Sequence, residues 1–201
     1  MRLNPGAKIP ASLVLRLRAS WLFSAVLGLV MVFAPLTRSQ DSVASEDEVK
    51  AAFTYNFARF VEWPASAFKN DSTPISLGVV GNEEFADKLA ALLRDKKAHG
   101  RSFLVKKIAF GPEMTSCHMI FVAQSQAKKF PQYSDIVAKA PILTVGESAH
   151  FLDQGGIINF VRAENQLRFE INSPAAEKVN LSISSKLLRL ARNVKKGEES
   201  K

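Results

Sequence analysis

Three short, β-rich apolar runs, Ile75–Val80, Met119–Ala123 and Ile142–Val145, constrain this chain more than any other feature. They are too short for buried helices and read as strands covered on both faces. Gly81-Asn82 stops the first and Gly146 the third, and Pro74 or Pro141 precedes each of these two. Helical spacing appears between them. Glu83–Arg94 sets Phe85, Leu89, Leu92 and Leu93 on one side, with acids first and Arg94 late, as the helix dipole favours. A further helix is expected from about Ala127 to Ala138. Phe103–Phe110, with Val105, Ile108 and Phe110 among lysines, reads as another strand.

The flanking segments extend the same alternation. Glu46–Val61 carries Val49, Ala52, Phe53, Phe57 and Phe60 at helical spacing behind three acids, and Trp63-Pro64 ends it. Gly155-Gly156 reads as a turn before Ile157–Val161 and Leu167–Ile171, an antiparallel hairpin around Glu164-Asn165. Ile183–Val194, with capping residues Ser184-Ser185, is expected to be a closing helix. The fold class is therefore α/β: a single-domain mixed β-sheet covered by helices, with a C-terminal hairpin and closing helix. The domain is placed at residues 45–194, and the charged tail from Lys195 to Lys201 is expected to be disordered.

The net charge of +8 looks like a nucleic-acid signal, but its distribution argues otherwise. Residues 1–40 hold Arg2, Lys8, Arg16, Arg18 and Arg38 and no acid, and the nineteen residues Ala19–Thr37 are uncharged. Basic start, apolar stretch and small residues in that order read as a signal peptide over residues 1–44. Cleavage after Ser42-Val43-Ala44 would make Ser45 the new N-terminus; an uncleaved inner-membrane anchor at residues 19–37 is the alternative. Either way the expected compartment is the periplasm. Removing residues 1–44 takes away five of the 27 basic residues and one of the 19 acids, leaving +4. The lysine pairs that remain are isolated and lack interleaved aromatics, which argues against a nucleic-acid partner.

Catalytic chemistries fail one at a time. No GxGxxG or P-loop occurs, and the helix after the first strand opens with Glu83-Glu84, which would repel a phosphate. Cys117 and His118 are adjacent on an extended segment and so point apart, which reads as a buried thiol rather than a nucleophile beside its base. His99 and His150 come with no second histidine at metal-ligand spacing. Ser184-Ser185-Lys186 lacks the SxxK spacing. No enzyme, metal or cofactor is expected.

The segment Ala51-Ala52-Phe53-Thr54-Tyr55-Asn56-Phe57-Ala58-Arg59-Phe60-Val61-Glu62-Trp63-Pro64 resembles the opening signature of the YfiR/HmsC-like periplasmic proteins. Five later stretches agree in order: Cys117–Val122, Ile142–Gly146, Gly155–Phe160, Arg168–Asn172 and Ile183–Leu188. The resemblance spans about residues 46–191. It implies a compact α/β sheet fold and a non-enzymatic regulator. The implied partner is the periplasmic domain of an inner-membrane diguanylate cyclase, whose restraint limits cyclic di-GMP and biofilm formation. A sensor kinase or outer-membrane receptor, a small ligand, or a second copy of the chain are the alternatives. Founding members of the family use disulfides, whereas Cys117 is the one cysteine here and has no partner.

Within these motifs, Asn56, Arg59, Glu62, Trp63, Arg168, Glu170 and Asn172 stand out as polar or amphipathic groups among apolar neighbours. Two readings are open for them. They form an exposed surface for a partner, or a hydrogen-bonded lock between the first helix and the hairpin.

Overall fold

A computed structural model describes residues 45–197; the expected signal segment, residues 1–44, and the last four residues of the expected tail lie outside the described residues. At the start, Ser45 and Glu48 form a reciprocal capping box, each side chain accepting the other's backbone N–H, and α1 runs Glu46–Phe60. Val61 turns extended ahead of Pro64, giving the two-residue strand β1, Val61–Glu62. Next come β2 (Ile75–Val80), α2 (Glu83–Leu93, capped by Asn82), β3 (Phe103–Ile108), β4 (Met119–Val122), α3 (Ser134–Val137) and β5 (Leu143–Gly146). The chain closes with β6 (Ile158–Ala163), β7 (Gln166–Asn172), α4 (Ser173–Lys178), β8 (Ser182–Ile183), α5 (Ser185–Leu190) and β9 (Asn193–Lys195).

Seven strands form one mixed sheet in the order β3-β2-β4-β5-β6-β7-β9, with every neighbouring pair parallel except the β6–β7 hairpin. The apolar runs occupy its centre: β2, β4 and β5 are buried at every residue. This is what parallel strands covered on both faces require. Ile75, Leu77 and Val79 share one core with Met119, Phe121, Leu143 and Val145 under α1 and α2. The alternate residues Val80, Ile120 and Val122 share a second core with Met114, Phe130, Val137 and Phe151. Strand β1 pairs with β8 in a separate antiparallel ribbon.

In the hairpin, Glu164 and Asn165 both take positive φ, +52° and +57°, the two-residue turn whose twist matches its strands. The strands consequently reach further toward the turn than the apolar pattern suggests. At Gly155-Gly156 the residues divide the work. Gly155 takes φ +90°, while a Cβ on Gly156 would lie 2.3 Å from the Phe151 ring.

Three sequence expectations need correction. The helix expected from Ala127 to Ala138 is a 3₁₀ segment, Gln124–Tyr133, followed by the single turn α3. Pro131 lies inside it and lacks the N–H an α-helix needs. The strand expected over Phe103–Phe110 stops at Ile108, before the 3₁₀ segment Pro112–Ser116. The closing helix Ile183–Val194 divides into β8, α5 and β9. Ser184 caps α5 from extended angles, so Ile183 before it pairs with Val61. After Leu190, Ala191 is again extended, and Arg192 donates its N–H to the Phe169 carbonyl, laying β9 along β7. Lys195, assigned to the charged tail, is thereby the last residue of a strand.

Candidate functional site

The residues singled out in the motifs fall into separate environments, and no described hydrogen bond joins those near α1 to those on the hairpin. Asn172 is buried and caps α4: its Oδ1 accepts from Ala175 N–H at 3.1 Å and its Nδ2 donates to the Leu152 carbonyl at 3.0 Å. Glu170 is half-buried and accepts from Arg192 at 3.4 Å, tying β7 to the residue before β9. Arg168 is exposed on β7, and Asn56 is half-buried on α1. Trp63 is half-buried and donates its indole N–H to the His118 carbonyl at 3.1 Å.

What joins α1 to the hairpin is aromatic. Phe53 and Phe57, one turn apart on α1, meet Phe160 of β6 and Phe169 of β7. Phe57 lies 5.5 and 5.0 Å from the two hairpin rings, the latter edge-to-face, within the range where aromatic pairs attract beyond their burial.

Around the end of α1 the side chains turn outward. Arg59 is exposed, with its guanidinium carbon 5.5 Å from the Tyr55 ring centre and 5.6 Å from that of Phe60. Lys186 of α5 brings a second cation over Phe60, at 5.2 Å. One helical turn beyond Lys186, on the same face of α5, Leu190 is 59% exposed. Glu62, also exposed, faces Ser182 across the β1–β8 ribbon. The result is a rim of cations, aromatic rings and one apolar side chain built by the signature helix and α5.

A polar lock does exist, at a residue that sequence reasoning left unassigned. His118 is 8% exposed, and both ring nitrogens are used: Nδ1 accepts from Ser76 N–H at 3.0 Å and Nε2 donates to the Ala67 carbonyl at 3.0 Å. Its ring stacks on Phe68 at 4.4 Å, and the Arg101 guanidinium carbon lies 3.9 Å from the centre of the Phe68 ring. Burial holds the imidazole below its ordinary pKa. The Ala67 hydrogen bond opposes this, and the charges of Arg101 and Lys106 add to it. No local signal marks this residue, because Ala67 lies 51 positions upstream. The neighbouring Cys117 thiol is buried against Gly78, and that burial pushes its pKa up, which makes it a poor nucleophile.

Open α/β sheets bind ligands outside the carboxyl ends of their strands where the strand order reverses. Here that crevice lies between β2 and β4, and it is filled. A Cβ on Gly81 would lie 2.3 Å from Gln126, and Ser125 donates its hydroxyl to the Gly81 carbonyl at 3.1 Å. Further along the same end, Glu147 accepts from Lys50 at 2.5 Å and from Gln124 N–H at 3.0 Å, so those charges are spent on each other. His99 bonds the Ala58 carbonyl, and His150 faces Asp153 at 3.4 Å. Among the described residues, no group of three His, Cys, Asp or Glu side chains is placed to hold a metal ion.

Comparison with known proteins gives one family. A family profile described as YfiR/HmsC-like matches residues 47–192. No curated protein matches the chain significantly. Among solved structures, a conserved domain protein from Vibrio cholerae O1 biovar El Tor is similar at 16% identity and a TM-score of 0.44. The match covers 75% of this chain and 60% of that one, so the chain spans about three fifths of that protein's length.

Proposed function

Because the chain belongs to the YfiR/HmsC-like family, a regulatory rather than a catalytic one, we propose that it is a periplasmic regulator that restrains a membrane-bound signalling enzyme. The preferred partner is a diguanylate cyclase, bound through its periplasmic sensor region, so that cyclic di-GMP and biofilm formation are limited. A protein acting by binding alone must favour the partner's inactive state. Shifting that partner from almost wholly active to almost wholly inactive takes roughly 5.5 kcal/mol of preference between states.

The observation that carries this reading is the outward rim around Arg59, Phe60 and Lys186, within and beside the signature segment. Arginine and aromatic residues dominate the energetics of protein interfaces, and here the rings already hold the cations in place before any partner arrives. Arg59→Glu combined with Lys186→Glu reverses two charges on a solvent-facing rim and should leave the fold intact. Deleting the gene should raise cyclic di-GMP. The wild-type chain should restore it and the double variant should not, although the variant is still exported with an N-terminus near Ser45. Unchanged cyclic di-GMP in the deletion strain, under conditions where the protein is made, refutes the cyclase reading and leaves a sensor kinase as the partner to test.

A further inference from the structure

A concavity of about 590 Å³ opens at the amino ends of the parallel strands, on the edge of the sheet opposite the filled crevice. Four separate segments wall it: the 3₁₀ turn Ala65–Ala67 and the stretch to Ser76, the start of β3, the segment Thr115–His118 leading into β4, and Ala140–Ile142 before β5. Its volume is in the range of small-molecule sites, and its composition has the usual division between an apolar wall and a few polar groups. Leu104, 43% exposed, and the half-buried Pro141 supply apolar surface, while Ser66 supplies a hydroxyl.

The charges distinguish it. Lys69 and Lys106 are among the lining residues, and none of the lining residues is acidic. Other concavities that carry cations also carry acids. Lys50 and Arg162 face Glu46 and Glu147, Lys107 faces Glu83, and Lys178 shares a wall with Asp135. Among the described residues, neither Lys69 nor Lys106 forms an ion pair with a carboxylate, so no acid neutralises this wall. The positive potential is felt at the floor, where Lys106 acts on both Cys117 and His118, the latter also under Arg101. That floor is rigid. The His118 ring is fixed at both nitrogens and its carbonyl is held by Trp63.

We infer that this cavity is a binding site for a small organic anion, a phosphate or carboxylate head between Lys69 and Lys106 with an apolar body against Leu104 and Pro141. The ammonium groups act as point charges suited to either head, and the Ser66 hydroxyl adds a donor. The site is separate from the Arg59–Phe60–Lys186 rim and does not depend on the identity of the partner proposed above.

The test is NMR titration of the purified protein with phenyl phosphate, benzoate and benzylamine, which share a ring and differ in the charged group. Saturable shifts at the amides of Ser116, Cys117 and His118 and at the Trp63 indole N–H, with either anion or both but not with benzylamine, support the site and identify its preferred head. Lys69→Gln with Lys106→Gln should then weaken binding by about tenfold or more, the loss expected when charge-assisted contacts are removed. Both changes remove the charge and keep a flexible polar side chain, and the unchanged remainder of the spectrum serves as the folding control. Equal binding of benzylamine, shifts centred elsewhere, no shifts at millimolar anion, or affinity unaffected by the double substitution would each overturn the inference.

Discussion

Replacing Phe57 tests whether ring packing, rather than the polar residues of the motifs, holds α1 to the hairpin. Phe57 is fully buried and meets the rings of Phe53, Phe160 and Phe169 at centroid distances of 6.1, 5.5 and 5.0 Å. Phe57→Ala removes the apolar transfer term and leaves a cavity between a helix and two strands, which cannot both move inward. Comparable buried substitutions cost about 3–5 kcal/mol. Phe57→Leu refills much of the volume but loses the ring–ring contacts, the edge-to-face one with Phe169 among them, each worth about 0.5–1.5 kcal/mol, so its cost should lie well below that of the alanine variant. Against a total stability of about 5–15 kcal/mol, the alanine change is severe. In a domain of this size it should lower Tm by on the order of 10 °C. Urea unfolding of the two variants beside Arg168→Ala gives the comparison. Arg168 is exposed and has no described partner, so its removal should stay within about 0.5 kcal/mol of wild type. A Phe57→Ala loss below about 2 kcal/mol, or an equal loss at Arg168, would refute the aromatic joint.

Three further outcomes follow from the same geometry. Because the folded state holds the His118 pKa below 6.5, the unfolded chain binds more protons there. The stability this site contributes is therefore present above pH 6.5 and lost as pH falls through the folded-state value; His118→Gln should remove that slope, and an imidazole titrating at or above 6.5 by NMR would contradict the burial argument. Gly156→Ala should destabilise by about 1–3 kcal/mol, since its methyl would meet both the Phe151 ring and, at 2.7 Å, the Phe151 carbonyl, which cannot rotate away; neutral denaturant unfolding would count against that contact. Cys117→Ala should cost only about 1 kcal/mol, and the Tm of the monomer should not respond to reductant.

The sheet was legible in the sequence because its central strands must be apolar on both faces, and few other structures demand such short unbroken runs. The first helix was legible for a similar reason, with acids at its start and a phenylalanine stripe that finds its partners at Phe160 and Phe169. Elements resting on local exceptions were harder. Pro131 changes the hydrogen-bonding pattern of an otherwise helical stretch, and the strand β9 exists because Arg192 reaches the Phe169 carbonyl, a contact that no periodicity encodes.

The functional surfaces were least legible, and the seven motif residues show why. Polarity amid apolar neighbours has several physical causes that look alike in one dimension. Asn172 is polar because a helix begins beside it, and Glu170 because Arg192 passes its strand. Trp63 spends its indole N–H as a second donor to the His118 carbonyl, which also accepts from Leu143 N–H, whereas Arg59 is polar because it faces solvent across two rings. Only the fold separates these cases. The same holds more strongly for the cationic cavity, where Lys69 and Lys106 come from segments 37 residues apart. Each lysine alone reads as ordinary solvated charge. Their meaning lies in a shared wall without carboxylates, and that property belongs to the sheet's amino edge rather than to any stretch of sequence.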